Sequence, residues 1–163
     1  MVTQVDLEVR KERIRRCLEV ARRDLLLQLE ETPEADVEWK PCPETRSILE
    51  ELRHVVGGDL WWQDILGGQA AAQGRKPSPE LHPELCPDVP STLRRLEEER
   101  QRTLRILEGM TDADLDAKGP PQTDRGTYTT EEYFHWLAQH DAWHAGQIAY
   151  VQMLWEARGA GRG

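Results

Sequence analysis

The chain has 163 residues, about the length of one domain with material for a real core, and its apolar part is rich in Trp (6) and poor in Phe (1). Its 21 basic against 30 acidic residues give a formal charge of −9, which argues against nucleic acid and an anionic membrane as partners, so neither is expected. It opens with no basic, apolar leader, its apolar runs fall far short of the roughly 18 residues of a spanning helix, and Cys17, Cys42 and Cys86 form no C-x-x-C, so a reduced, cytoplasmic protein is expected.

From about residue 3 to 29, Leu7, Ile14, Leu18, Ala21, Leu25 and Leu29 recur at helical intervals among Arg, Lys and Glu, which predicts a first helix with one buried stripe. The basic run Arg10 to Arg16 alternates with Glu and reads as a solvated face. Pro33, Pro41 and Pro43 break the chain, and Trp39 is expected to tuck over the bundle end. Ser47-x-x-Glu50 is a capping box that opens a second helix over 47–66. Its main stripe is Ile48, Leu52, Val55, Val56, Trp62 and Leu66, with His54, Trp61 and Ile65 on a shoulder, and Asp59 lies inside the stripe. Such an inward carboxylate is bonded to a neighbouring helix or belongs to a site.

Residues 67 to 90 begin Gly67-Gly68 and carry Pro77, Pro79, Pro83, Pro87 and Pro90, so they are no helix. Twenty-four residues can run the length of a bundle, about 30 Å, whereas antiparallel neighbours need only about two to eight. The second and third helices are therefore expected to be parallel. Ser91 is read as the cap of a third helix over 91–110, with a thin stripe of Leu93, Leu96, Thr103, Leu107 and Met110. A polar link with Gly119-Pro120-Pro121 and Gly126 leads to a second capping box, Thr129-Thr-Glu-Glu132, stapled by Tyr128 and Tyr133. The fourth helix spans 130–157, and the tail from Arg158 is expected to fray. The expectation is a single all-α domain over 1–163, a four-helix bundle.

His140 and His144 stand four residues apart on the fourth helix, about 40° apart around its axis, within the stripe of Tyr133, Leu137, Ile148, Val151 and Trp155. Inward imidazoles need hydrogen-bond partners or an ion, and two satisfied core histidines are the competing reading of a pair whose spacing alone is a weak signal. His54 from the second helix makes a third inward histidine. Three neutral nitrogens on one side of a cation leave open positions, as in a catalytic rather than a closed structural site. His82 and His135 point elsewhere. Trp61, two turns beyond His54, and Trp136, one turn before His140, are candidates to wall an apolar pocket, with ordinary core packing as the competing reading. Gln147, one turn beyond His144, would bond a ligand or a neighbouring helix. On helix four, Ala138, Ala142, Ala145 and Ala149 with Gly146 form a face of small side chains on which a homodimer is expected, a neighbouring helix of the same bundle being the alternative.

Trp39-Lys-Pro, Ser47-x-x-Glu50-x-x-x-His54, a Pro-rich crossover, Tyr128-Thr-Thr-Glu and His140-Asp-Ala-Trp-His144-Ala-Gly-Gln147-Ile together resemble the DinB-like superfamily of metal-binding four-helix bundles. That group includes the YfiT-like bacillithiol transferases and the mycothiol-dependent maleylpyruvate isomerases. The resemblance covers about residues 37 to 152 and implies up-down-down-up order, a homodimer, and a divalent ion on His54, His140 and His144. It departs at Arg46, where many relatives carry Trp. The leading reading is a metal-dependent enzyme that uses a low-molecular-weight thiol against a small-molecule electrophile, with Zn²⁺ first and Ni, Fe or Mn as alternatives. The alternatives are a hydrolase in which the ion activates water, with Asp59 or Glu51 as guesses for its base, and a non-catalytic dimeric stress-response or ligand-binding protein. The sequence identifies no catalytic side chain.

Overall fold

Helical periodicity and capping produce five α-helices in the computed structural model, which describes residues 6–30, 32, 36–66, 77–119 and 128–160. These are α1 (Leu7–Glu30), α2 (Ile48–Leu66), α3 (Val89–Glu108), the short α4 (Asp112–Asp116) and α5 (Thr130–Ala160), the expected fourth helix. Both capping boxes form, with Glu50 N donating to Ser47 Oγ (3.2 Å) and Ser47 N to Glu50 Oε2 (3.0 Å), and with Glu132 N donating to Thr129 Oγ1 (3.2 Å) and Thr129 N to Glu132 Oε2 (2.6 Å). The Tyr128 and Tyr133 rings meet at 6.0 Å, as the staple requires.

Cross-links between the helices give the direction of each one. Arg10 and Glu131 join the starts of α1 and α5 at 2.5 Å, and Gln152 bonds the Gln28 carbonyl near their ends, so these two run parallel. Trp62, late in α2, packs on Tyr133, early in α5, and Lys11, early in α1, bonds the carbonyl of Glu108 at the end of α3. Arg53 near the start of α2 reaches the carbonyls of Cys86 and Pro87 just before α3, while Gln63 near its end reaches Glu99 and Thr103. The order is thus up-down-down-up, with α2 and α3 parallel as the crossover requires.

Several expectations change. The cap of α3 is Asp88, which shares a reciprocal box with Ser91, because Pro90 is tolerated in a first turn where its missing N–H is not needed. Helix α4 was not foreseen; Thr111 and Asp114 cap each other there. The basic run of α1 is not simply solvated: Lys11 is buried, and Arg10 binds Asp112, Asp116 and Glu131. Arg158 does not fray, since it pairs with Asp36 (3.3 Å) and lies over Trp39 and Trp155. Pro33, Gly67-Gly68, Pro120, Pro121, Gly126 and residues 161–163 lie outside the described residues. No described helix is long and apolar enough to cross a membrane.

The core has two apolar layers, one around Leu25, Leu52, Val55 and Ile148 and another around Ile14, Leu18, Leu107 and Phe134. Buried charges from four helices link across the interior: Arg22 binds Asp59 (2.7 Å) and Asp141 (2.8 Å), and Arg100 binds Asp141 (2.6 Å). Asp59 therefore bonds a neighbouring helix. Of the small-residue face, Ala138 and Ala145 are buried in these two core layers, while Ala142 and Gly146 are exposed. The stripe belongs partly to the bundle interior and does not supply the uniform docking face on which the homodimer was expected.

Candidate metal centre

His54 on α2 meets His140 and His144 on α5 where the two helices cross antiparallel, and one ligand nitrogen from each lies within 4.8 Å of the others. The ring centroids are 5.4 Å (His54–His140), 4.7 Å (His54–His144) and 4.4 Å (His140–His144) apart. His140 Nε2 and His144 Nε2 are separated by 3.2 Å. Two nitrogens about 2.05 Å from one tetrahedral ion would be about 3.3 Å apart, so this spacing fits a shared cation. His140 Nδ1 is buried with no hydrogen-bond partner among the described residues, and burial, then the neighbouring His144 and His54, push the His140 pKa down to about 3. The pair is not explained as satisfied core histidines. A convergent imidazole set of this kind could hold a metal ion.

Two of the histidines have carboxylate partners on their outer nitrogens. His144 Nδ1 is 2.7 Å from Glu51 Oε2, and His54 Nδ1 makes an oblique 2.9 Å contact with Glu80 Oε2. The Glu51 contact leaves His144 Nε2 for an ion and aligns that ring, as in carboxylate–histidine–metal sites, whereas the Glu80 contact lacks hydrogen-bond geometry and His54 Nδ1, like His140 Nδ1, is buried without a hydrogen-bond partner among the described residues. Arg46 links the two carboxylates, with Nη2 2.8 Å from Glu80 Oε1 and Nη1 3.8 Å from Glu51 Oε1. Burial would raise the Glu80 carboxyl, but His54 and Arg46 outweigh it and hold it below the usual carboxylate range. Glu51, a guess for a general base, instead orients His144. Asp59, the other guess, is bonded to Arg22.

Two adjacent glycines make room for this assembly. A Cβ on Gly58 would stand 2.5 Å from His140 Cε1 and 3.0 Å from Nδ1, so only glycine lets α2 pass this close to the imidazole. A Cβ on Gly57 would meet the Ser78 hydroxyl of the crossover. The Gly57-Gly58 pair inside a helix was a readable signal, since each costs up to about 1 kcal/mol relative to Ala. Glu80, Arg22, Arg100 and Asp141 carried no such mark.

A cavity of about 620 Å³ opens beside the centre, lined by His54, His140, Trp61 and Trp62 among others. Trp61 lines this cavity together with His54 and His140, whereas Trp136 lines a separate hollow with Tyr128 and His135. Gln147 sits on the outer side of the Glu51–His144 pair, in a second cavity of about 670 Å³ with Arg46 and Trp143. With its amide turned, its nitrogen lies 2.6 Å from His144 Nδ1 and 3.3 Å from Glu51 Oε2, and its oxygen accepts from Trp143 Nε1 (3.3 Å). His82 and His135 are exposed, beside Glu84 and Glu131 respectively.

Solved structures share this architecture. The sibling lethal factor precursor DfsB matches with a TM-score of 0.68 at 16% identity, over 88% of this chain and 95% of its own. The colibactin self-resistance protein ClbS, solved in complex with a dsDNA, gives 0.65 at 14% identity, over 88% and 95%. An uncharacterized protein from Clostridium difficile 630 gives 0.63 at 14% identity, over 90% and 95%. At such identities the likeness shows the fold. No curated protein sequence matches the chain. The ClbS complex overturns one expectation: a protein of this fold has been solved on nucleic acid, so the charge of −9 does not exclude that partner. The model of the DinB superfamily matches residues 18–148, most of the chain, and the chain belongs to that superfamily.

Proposed function

We propose that the protein is a divalent-metal-dependent S-transferase that joins a small thiol to an electrophile. The observation that carries this reading is the convergence of the His54, His140 and His144 nitrogens at the edge of a cavity walled by Trp61 and Trp62. A divalent ion on these nitrogens, Zn²⁺ before Ni, Fe or Mn, would supply the Lewis acidity that keeps a thiol deprotonated at neutral pH. Glu51 holds the His144 ring in place, Glu80 places a carboxylate beside His54, and the tryptophans bind the apolar body of a reactant and exclude water. In the reaction the thiol loses its proton to solvent water, its sulfur bonds the electrophilic carbon, and the bond from that carbon to the leaving group breaks, the leaving group departing with the electron pair.

A hydrolase at the same centre would need a carboxylate free to take a proton from water. Glu80 has one oxygen against His54 and the other on Arg46, and Glu51 is bonded to His144, which favours the transferase. The test is a panel of small thiols with a generic aryl halide electrophile and metal-replete protein. Metal-dependent consumption of one thiol, lost in His144→Ala, is expected. Turnover of esters or amides with no thiol present would replace this reading with the hydrolase.

A further inference from the structure

The cavity beside the histidines is electrically uneven along its length. It follows α2 from His54 past Gly57, Gly58 and Trp61 to Asp64, a rise of about 15 Å for ten helical residues. Among the described residues that line it there is no Lys or Arg, while Glu80 and Asp64 are carboxylates. Those two acids are not equivalent. Glu80 stands at the histidine end and is neutralised by Arg46 at 2.8 Å. Asp64, half-buried at the far end, pairs with no cation among the described residues. Between the ends lie Trp61 and Trp62, whose rings meet edge to face at 4.7 Å, with Trp62 anchored on Tyr133 at 5.4 Å.

We propose that this cavity selects a reactant bearing an ammonium group, with the reactive end at the histidines, an apolar spacer along Trp61 and Trp62, and the cation on Asp64. The assignment of the charge to that end follows from electrostatics. Arg46 and any ion on the histidines repel a second cation, whereas Asp64 offers a carboxylate unmatched among the described residues, in one cavity with aromatic rings that attract cations. A chain of charge −9 also draws cations and repels anions at long range. The proposal rests on the reading of this cavity as the transferase site, and it deepens that reading by naming a charge class that either reactant, thiol or electrophile, can carry.

The experiment uses metal-loaded protein and three thiols of equal spacer, aminohexanethiol, mercaptohexanol and mercaptohexanoate, with binding followed by tryptophan fluorescence. A parallel arm keeps mercaptohexanol fixed and compares ammonium-bearing with neutral aryl halides in turnover, which shows which reactant carries the charge. The expected result, in one arm or the other, is a preference of about tenfold for the ammonium form. Asp64→Asn should erase that preference and Asp64→Glu should keep it, with metal content unchanged in both. Equal handling of all forms in both arms, preference for the carboxylate, or an ammonium preference that survives Asp64→Asn overturns the proposal. If no thiol binds at all, the transferase reading fails separately. Hexylammonium against hexanoate, on wild type and Asp64→Asn, then decides the charge selection alone: an Asp64-dependent preference upholds it and its absence overturns it.

Discussion

Replacing Gly58 by Ala adds one methyl group, and the structure determines where that group goes. The new Cβ would lie 2.5 Å from His140 Cε1, 3.0 Å from Nδ1 and 3.1 Å from Nε2, so the whole ring must retreat by about 1 Å to reach ordinary contact. His140 Nε2 is 3.2 Å from His144 Nε2, close to the spacing that two ligands of one ion require, and a retreat of that size breaks the match. Helix propensity acts in the opposite direction, because Ala is worth up to about 1 kcal/mol over Gly inside a helix. Overpacking costs about 1–3 kcal/mol, so the metal-free protein should change in stability by no more than about 2 kcal/mol. Metal affinity should fall at least tenfold, which removes about 1.4 kcal/mol or more of the stabilisation that metal confers at saturation. Gly57→Ala is the comparison: its Cβ meets the Ser78 side chain, with Glu80 Oε2 4.0 Å away, and no histidine, so metal affinity should fall by less than in Gly58→Ala. Chelator competition gives the affinities, and urea unfolding with and without chelator gives the stabilities. Wild-type affinity in Gly58→Ala, or equal losses in both variants, would refute the packing argument.

Glu51→Gln keeps the shape but weakens the grip on His144 Nδ1, and metal affinity should drop about 10- to 100-fold by chelator competition; Arg46→Ala should give a smaller loss of the same kind, since it touches both carboxylates and neither ring. His140, with a folded pKa of about 3 against about 6.5 unfolded, makes the unfolded chain bind more protons between those values, so metal-free stability should fall as pH drops from about 6.5 towards 3, by up to about 1.4 kcal/mol per unit. Urea midpoints across that window check this, and the slope should flatten in His140→Gln. Arg22→Met leaves Asp59 and Asp141 buried with one cation fewer and should cost about 3–5 kcal/mol in urea unfolding, a loss that Arg22→Lys should only partly recover.

The helices were legible because their signals are local. Caps such as Ser47–Glu50 and stripes such as Ile14, Leu18 and Leu25 are set by neighbours within a turn or two. The convergence of His54, His140 and His144 was legible for a related reason, since inward phase on two helices and a long crossover leave few places for them to meet. Glu80 escaped notice because the crossover has no period, and its contact with His54 is set by tertiary packing. Arg22 and Arg100 escaped for another reason: on a helix rich in Arg and Glu, a buried charge and a solvated one look the same until the partners Asp59 and Asp141 arrive from other helices. Ala145 allowed two readings, because a small residue suits close packing inside a bundle as well as between two bundles, and it lies in the bundle core.

The claim on which the rest depends is that His54, His140 and His144 form one metal centre. Elemental analysis of protein purified under metal-replete conditions tests it directly, on the wild type and on five single His→Ala variants. The account predicts one divalent ion per chain, lost or weakened at least tenfold in His54→Ala, His140→Ala and His144→Ala, and retained in His82→Ala and His135→Ala, whose side chains are exposed and beside acids of their own. A wild type without stoichiometric metal, or equal losses at His135, would contradict it.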